Sequence, residues 1–174
     1  KGMTIVSNAN YGKNYGNAFW YQNQLTMGNG DGVYMTDFSA LSDVIAHEIS
    51  HGVTEKTAGL IYSHQSGALN ESFSDIFGIM VKHYITNTKS EDDEFLIGEG
   101  LWTDNVDGIA LRSMSKPGTA YNDSVIGSDP QPDHWSKFVH TEQDAGGVHI
   151  NSSLQNKAFY EACIRVGGYS WEKI

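Results

Sequence analysis

Two histidines four residues apart, His47 and His51, with Glu48 directly after the first, constrain this chain more than any other feature. Around them Val44, Ile45, Ile49 and Val53 recur at helical spacing, so the segment reads as a helix from about Asp43 to Thr57. Ser42 is the expected N-cap, Asp43 suits the first turn, and Gly59 breaks the helix. Residues i and i+4 of a helix lie about 40° apart on one face, so both imidazoles can reach one cation. Glu48 points about 100° away from His47, where it can stand beside a metal and hold a water. Two nitrogen ligands and a neighbouring carboxylate are the H-E-x-x-H arrangement of a zinc hydrolase. Two histidines at this spacing also occur by chance. The apolar flanks weigh against that reading, because polar side chains on a buried helix need partners.

A second helix is expected from about Gly67 to Thr86. There Phe73, Ile76, Phe77, Met80, Val81 and Tyr84 follow a 3.6-residue period and read as a core stripe. The loop 58–66 would fold this helix back on the first and bring Glu71 up as a third ligand. Asp75, one turn on, can accept a hydrogen bond from the far nitrogen of a metal-bound histidine. The plainer reading of Glu71 is an acidic first-turn residue.

The rest of the chain bounds the function class. It has 174 residues, enough for one domain or two small lobes, and a net charge of -10. Such acidity repels phosphate backbones, so nucleic acid is not an expected partner. The single cysteine, Cys163, excludes an internal disulfide and a cysteine-based metal site. No apolar run approaches the roughly 20 residues that span a bilayer, so no membrane partner is expected. Segments 3–7 and 18–22 read as short strands, with 8–17 a loop between them and Val33 to Thr36 a further strand. Residues 87–133 read as loop, holding all three prolines and the acidic run Glu91 to Glu94. A last helix is expected from about Ser152 to Val166. The chain opens on Lys1 with no signal segment, and Ser170 to Ile174 read as the start of a helix, so both ends read as cut.

Several blocks together carry a resemblance: Asp43 to Thr54 around the two histidines, Ala58 to Tyr62, Ser66 to Gly78, the distant Gly146 to Ser152, and Asn17 to Trp20. In this order they resemble the thermolysin-like family of zinc metalloendopeptidases. The resemblance implies an α+β fold. Residues 1–61 would be the end of a β-rich N-terminal lobe plus the active-site helix, and 62–174 part of a mainly helical C-terminal lobe. A complete unit of that family is longer than this chain.

The resemblance further implies zinc held by His47, His51 and Glu71, with Glu48 as general base for an attacking water. Tyr62 and His149 would donate to the tetrahedral oxyanion, and Asp144 would orient His149. Asp75 would orient His47, and Asn70 would help fix His51. Asn17 and Ala18 would bind an extended peptide as an edge strand, and Arg112 a substrate carbonyl on the leaving side. Leu111, Val44, Phe38 and Ile97 would line an apolar pocket there, which implies cleavage before Leu, Phe or similar residues. Plain core packing suits those four residue types equally well. Peptide or protein substrates, an inhibitory pro-segment and secretion are also implied.

The pattern departs at the family's calcium positions. Asp43, Glu94 and Glu99 match or approximate ligands, but Lys82 stands where a bridging Glu is expected. An ammonium cannot ligate calcium, so a reduced or absent site is expected, with Lys82 paired to a nearby acid. Ile109 likewise replaces an acidic ligand of a further site. Two other classes remain: a zinc amidase or aminopeptidase, and a truncated or inactive zinc-binding fragment that acts only through a partner. The edge-strand block argues against an aminopeptidase.

Overall fold

The computed structural model describes residues 4–174. Three short strands come first: β1 (Val6–Asn8), β2 (Ala18–Tyr21) and β3 (Gln24–Met27). Their order is β1-β3-β2, with β1 parallel and β2 antiparallel to the central β3. The expected first strand begins three residues late, and its Met3 lies outside the described residues. Gln22 and Asn23 make the tight β2–β3 turn with positive φ. Val33 to Thr36 do not form a strand; Met35 makes a single bridge to Trp102. Asp31 Oδ1 accepts from the amides of Val33, Tyr34 and Met35, which curls this segment into a turn.

Helix α1 (Ser42–Lys56) carries the two histidines, and α2 (His64–Thr86) crosses it in the largest helix contact of the molecule. Gly78 makes this approach possible: a Cβ there would sit 2.7 Å from the Asp43 carbonyl oxygen. Ser42 is not the cap of α1. Leu41 occupies that position and makes no side-chain bond, while the Asp43 carboxylate accepts from the amides of Val44 and Gly98. The loop region adds β4 (Leu96–Ile97) paired with β5 (Arg112–Ser113), and β6 (Asn122–Asp123) paired with β7 (Gly127–Ser128). Three further helices follow: α3 (Asp144–Asn151), α4 (Ser153–Val166) and α5 (Ser170–Lys173). Among the described residues no helix is long and apolar enough to cross a membrane.

Two apolar clusters hold these elements. Ala18, Leu25, Met27, Phe38, Val44 and Leu101 join the small sheet to α1. Ile79, Phe95, Ile97, Met114 and Cys163 join α2, the β4–β5 pair and α4.

Much of the expected core stripe of α2 is not buried, although Ile76 packs against the second apolar cluster. Phe73, Phe77 and Tyr84 are 40%, 46% and 67% exposed, and Val81 is also open. The buried face instead carries Asn70, Glu71, Ser74, Asp75, Ile79 and His83. Rotating the apolar stripe inward would expose the very side chains that partner the two histidines. The hydrogen bonds available to that polar set decide the orientation over apolar periodicity. His83 is fully buried between Asp93 and Ser170, with its Nε2 3.2 Å from the Asp93 carboxylate and Nδ1 3.3 Å from Ser170 Oγ.

Candidate metal centre and cleft

The helix crossing brings three ligand atoms to one point. His47 Nε2 and His51 Nε2 lie 3.1 Å apart. Glu71 Oε2 is 3.3 Å from His47 Nε2, and its Oε1 is 3.3 Å from His51 Nε2. These three residues are the only such group of metal-capable side chains among the described residues. A tetrahedral centre with bonds of about 2.0–2.1 Å sets its ligands about 3.3 Å apart, so the spacing fits zinc. Two further observations agree. Glu71 Oε2 is buried without a hydrogen-bond donor. Each histidine engages an acceptor through the other nitrogen: Asp75 Oδ1 lies 2.8 Å from His47 Nδ1, and Asn70 Oδ1 2.9 Å from His51 Nδ1. With the protons placed there, both Nε2 lone pairs turn toward the same point.

The electrostatics are those of a buried cation site. Burial alone would lower the His47 pKa, but the carboxylates of Asp75 and Glu71 outweigh it and push the imidazole up to about 10. Burial would raise the carboxyl of Glu71, yet His47, with smaller contributions from His149 and His51, holds it well below the usual range. Asp75 is held low in the same way by Arg112 and His47. The carboxylate charge that draws a proton to His47 in the empty site would equally favour a divalent ion, which binds the neutral ring in place of that proton.

Glu48 is buried on the wall of the same cleft, which measures about 910 Å³. The Tyr62 hydroxyl donates to Glu71 Oε1 and lies 3.2 Å from His149 Nε2. Burial, with the nearby charge of Glu71, raises the phenol pKa, so Tyr62 stays a neutral donor. His149 sits where it does because of a left-handed turn. Asp144, Ala145, Gly146 and Gly147 all have φ between 50° and 88°, and only then does the right-handed helix begin. Gly146 and Gly147 adopt such backbone without the clash a Cβ causes. The turn lets the Asp144 carboxylate reach both the ring and the amide of His149.

The expected substrate-facing residues divide. Strand β2 is the edge of its sheet, and Asn17 and Ala18 border the cleft with Phe19 and Trp20. Phe38, Val44, Leu111 and Arg112 also line it. Ile97 does not: it is fully buried in the second apolar cluster, where packing alone accounts for it. Arg112 is committed to Asp75, with Nε 2.8 Å from Oδ2 and Nη2 2.6 Å from Oδ1, while still bordering the cleft.

Asp43, Glu94 and Glu99 do not gather into a cation cage. Asp43 spends its oxygens on two backbone amides. Lys82 Nζ bonds Glu99 at 2.9 Å and the Leu96 carbonyl oxygen at 3.3 Å, placing an ammonium at this position.

Sequence reasoning missed the cleft wall formed by Tyr121, Asp129, Pro130 and Gln131. Gln131 Nε2 donates to the His149 carbonyl at 2.7 Å, and Asp129 shapes the loop by accepting from the amides of Gly118, Ala120 and Gln131. The only signal in the sequence was the Asp-Pro pair at 129–130, which marks a turn and says nothing of its neighbour.

Comparison with known proteins places this geometry. Residues 1–55 match the family model of the thermolysin metallopeptidase catalytic domain, and residues 58–174 that of the thermolysin metallopeptidase alpha-helical domain. An extracellular metalloprotease of Pectobacterium carotovorum subsp. carotovorum is 51% identical over 173 residues, covering 99% of this chain and 50% of that protein. Protease PrtS of Photorhabdus sp. (strain Az29) is 47% identical over 175 residues, covering 99% of this chain and 47% of that protein. Among solved structures, the precursor of protealysin, a metalloproteinase from Serratia proteamaculans, superposes with a TM-score of 0.97 at 48% identity. That match covers 99% of this chain and 54% of the protealysin precursor chain. The chain thus spans about half the length of the curated relatives it matches.

Proposed function

We propose that this chain, which belongs to the thermolysin metallopeptidase family, carries the catalytic centre of a zinc endopeptidase that hydrolyses internal peptide bonds. The observation that carries the reading is the meeting of His47, His51 and Glu71 beneath a cleft that Glu48, Tyr62 and His149 also border. His47, His51 and Glu71 would hold the ion, and zinc, when bound, supplies Lewis acidity at that point.

The protein's own groups do the rest. Glu48 takes a proton from the attacking water and passes it to the leaving amine. Tyr62 and His149 donate to the oxyanion that forms as the carbonyl becomes tetrahedral, and losing one such donor typically costs about 10²–10³ in rate. Asp144 keeps the His149 ring turned to that task. Asp75 and Asn70 fix the two zinc-binding rings through their Nδ1 atoms.

The free edge of β2 suits an extended peptide laid along it as a further strand, with Asn17 and Ala18 as its first contacts. Phe38, Val44 and Leu111 form an apolar wall, and Arg112 lies at its rim. This supports a preference for Leu, Phe or similar residues on the leaving side. The cleft would lie between a lobe of residues 1–61 and a lobe of residues 62–174. Secretion is proposed from relatives such as the extracellular metalloprotease of Pectobacterium. An inhibitory pro-segment is proposed as a partner, since the similar solved chain is a precursor. Calcium is proposed to be absent from the position where Lys82 pairs with Glu99.

The test is digestion of a peptide blocked at both ends and containing one Phe or Leu. Cleavage on the amino side of that residue, abolished by a zinc chelator and restored by zinc, is the expected result. Dependence on a free amino terminus would point instead to an aminopeptidase. Zinc binding without any cleavage would leave a zinc-binding fragment that acts only through a partner.

A further inference from the structure

We infer that Asn156, on α4, is a positioning residue for the zinc ligand His47, acting through Asp75; this rests on the zinc reading proposed above. An ionised carboxylate offers about four acceptor sites, and in Asp75 all four are used. Oδ1 accepts from His47 Nδ1 at 2.8 Å and from Arg112 Nη2 at 2.6 Å. Oδ2 accepts from Arg112 Nε at 2.8 Å and from Asn156 Nδ2 at 2.8 Å. Asp75 is fully buried and Asn156 is 1% exposed, so water does not compete for these bonds.

The amide of Asn156 is held in one orientation. Its Oδ1 is buried with no partner, and exchanging the two ends would set that oxygen against Asp75 Oδ2. A side chain chosen for packing alone would not leave a buried carbonyl unpaired. What Asn156 contributes is the donor that Arg112 cannot supply. Arg112 grips the carboxylate edge-on from one side, and Asn156 stops the group from turning toward it and drawing Oδ1 away from His47. The helix of Asn156 also starts directly after the one that carries His149. The same residue therefore ties His47 to the helix that directly follows the one bearing His149.

The test compares Asn156→Leu and Asn156→Ala with the unmodified protein. Zinc affinity is measured by competition with a chromogenic chelator, alongside the thermal midpoint and kcat and KM. Loss of a direct outer partner of a metal ligand typically weakens binding about 10–100-fold, and one step further out about 3–10-fold is expected for Asn156→Leu. KM should hold while kcat falls. Asn156→Ala leaves room for a water to donate in place of the amide, so its zinc affinity should fall less than that of Asn156→Leu, though by more than about twofold. A purely structural role leaves zinc affinity unchanged and shows only in the thermal midpoint, which falls further for Asn156→Ala because the smaller side chain leaves the larger cavity. If Asn156→Leu does not fold, Asn156→Ala carries the test. Wild-type zinc affinity in a folded variant would overturn the inference and leave the zinc reading standing. Failure of the unmodified protein to bind zinc would overturn both.

Discussion

Asp144 holds His149 with both of its oxygens: Oδ1 lies 2.6 Å from the ring Nδ1, and Oδ2 accepts the backbone N–H of the same residue at 2.8 Å. One contact orients the ring and the other fixes its Cα, so Nε2 is held toward Tyr62 although half the side chain is open to solvent. Asp144→Asn keeps the shape but removes the carboxylate charge that faces the ring Nδ1. It should lower kcat by about tenfold or more, short of the ~10²–10³ expected when a donor itself is removed, with KM little changed. Steady-state kinetics on a blocked peptide checks this, and an unchanged kcat would remove His149 from the chemistry.

The turn that makes this grip possible holds one residue in a costly conformation. Ala145 has φ 50° and ψ 35°, between Asp144 and two glycines. A left-handed backbone costs a residue with a Cβ about 1–2 kcal/mol, partly offset by the extra freedom glycine brings to the unfolded chain. Ala145→Gly should therefore stabilise the protein by roughly 0.5–1 kcal/mol, read as a higher denaturant midpoint at constant slope. A lower midpoint would mean that the Ala145 methyl makes contacts worth more than the strain.

Much of the centre was legible because helical spacing is a strict rule. His47, His51, Glu71 and Asp75 meet as the i, i+4 arithmetic and the fold-back of α2 require. The orientation of α2 was not legible. Phe73, Phe77 and Tyr84 are more apolar than the face that is buried, and only the partners of Asn70, Glu71, Ser74 and Asp75 across the helix crossing explain the outcome. The roles of Gln131 and Asn156 were invisible for a simpler reason. Each acts on a residue 18 or 81 positions away, a separation that carries no periodic signal.

A pH dependence of stability follows from Asp93. Burial would raise its carboxyl, but the hydrogen bonds from His83 and the Phe95 amide outweigh it and hold the pKa below the usual value. A carboxyl depressed in the folded state contributes stability that is present above its unfolded pKa of about 3.9 and is lost as pH falls through the folded value. Asp93→Asn should thus lower the unfolding free energy at pH 7, and the gap to the unmodified protein should close toward pH 2–3. Denaturant unfolding at both pH values measures it; a gap that stays constant with pH would show that the Asp93 charge contributes nothing.

Lys82 makes a prediction about ions. Its ammonium already bonds Glu99 and the Leu96 carbonyl, so a calcium ion would meet a like charge at close range. Added calcium should leave the thermal midpoint unchanged if this is the position it would act through. Lys82→Glu should make the midpoint rise with calcium. A calcium-dependent midpoint that is the same in both proteins would place the ion elsewhere.

The most direct test of the account is Glu48→Gln, assayed for zinc and for turnover on the same preparation. Glu48 borders the cleft but lies outside the group of three residues that would hold the ion. One zinc per chain is expected in both proteins, with hydrolysis of an internal peptide bond reduced by at least about 10²-fold in the variant, the scale of a lost general base. Near-complete activity with Gln at position 48, or an unmodified protein that takes up no zinc, would contradict it.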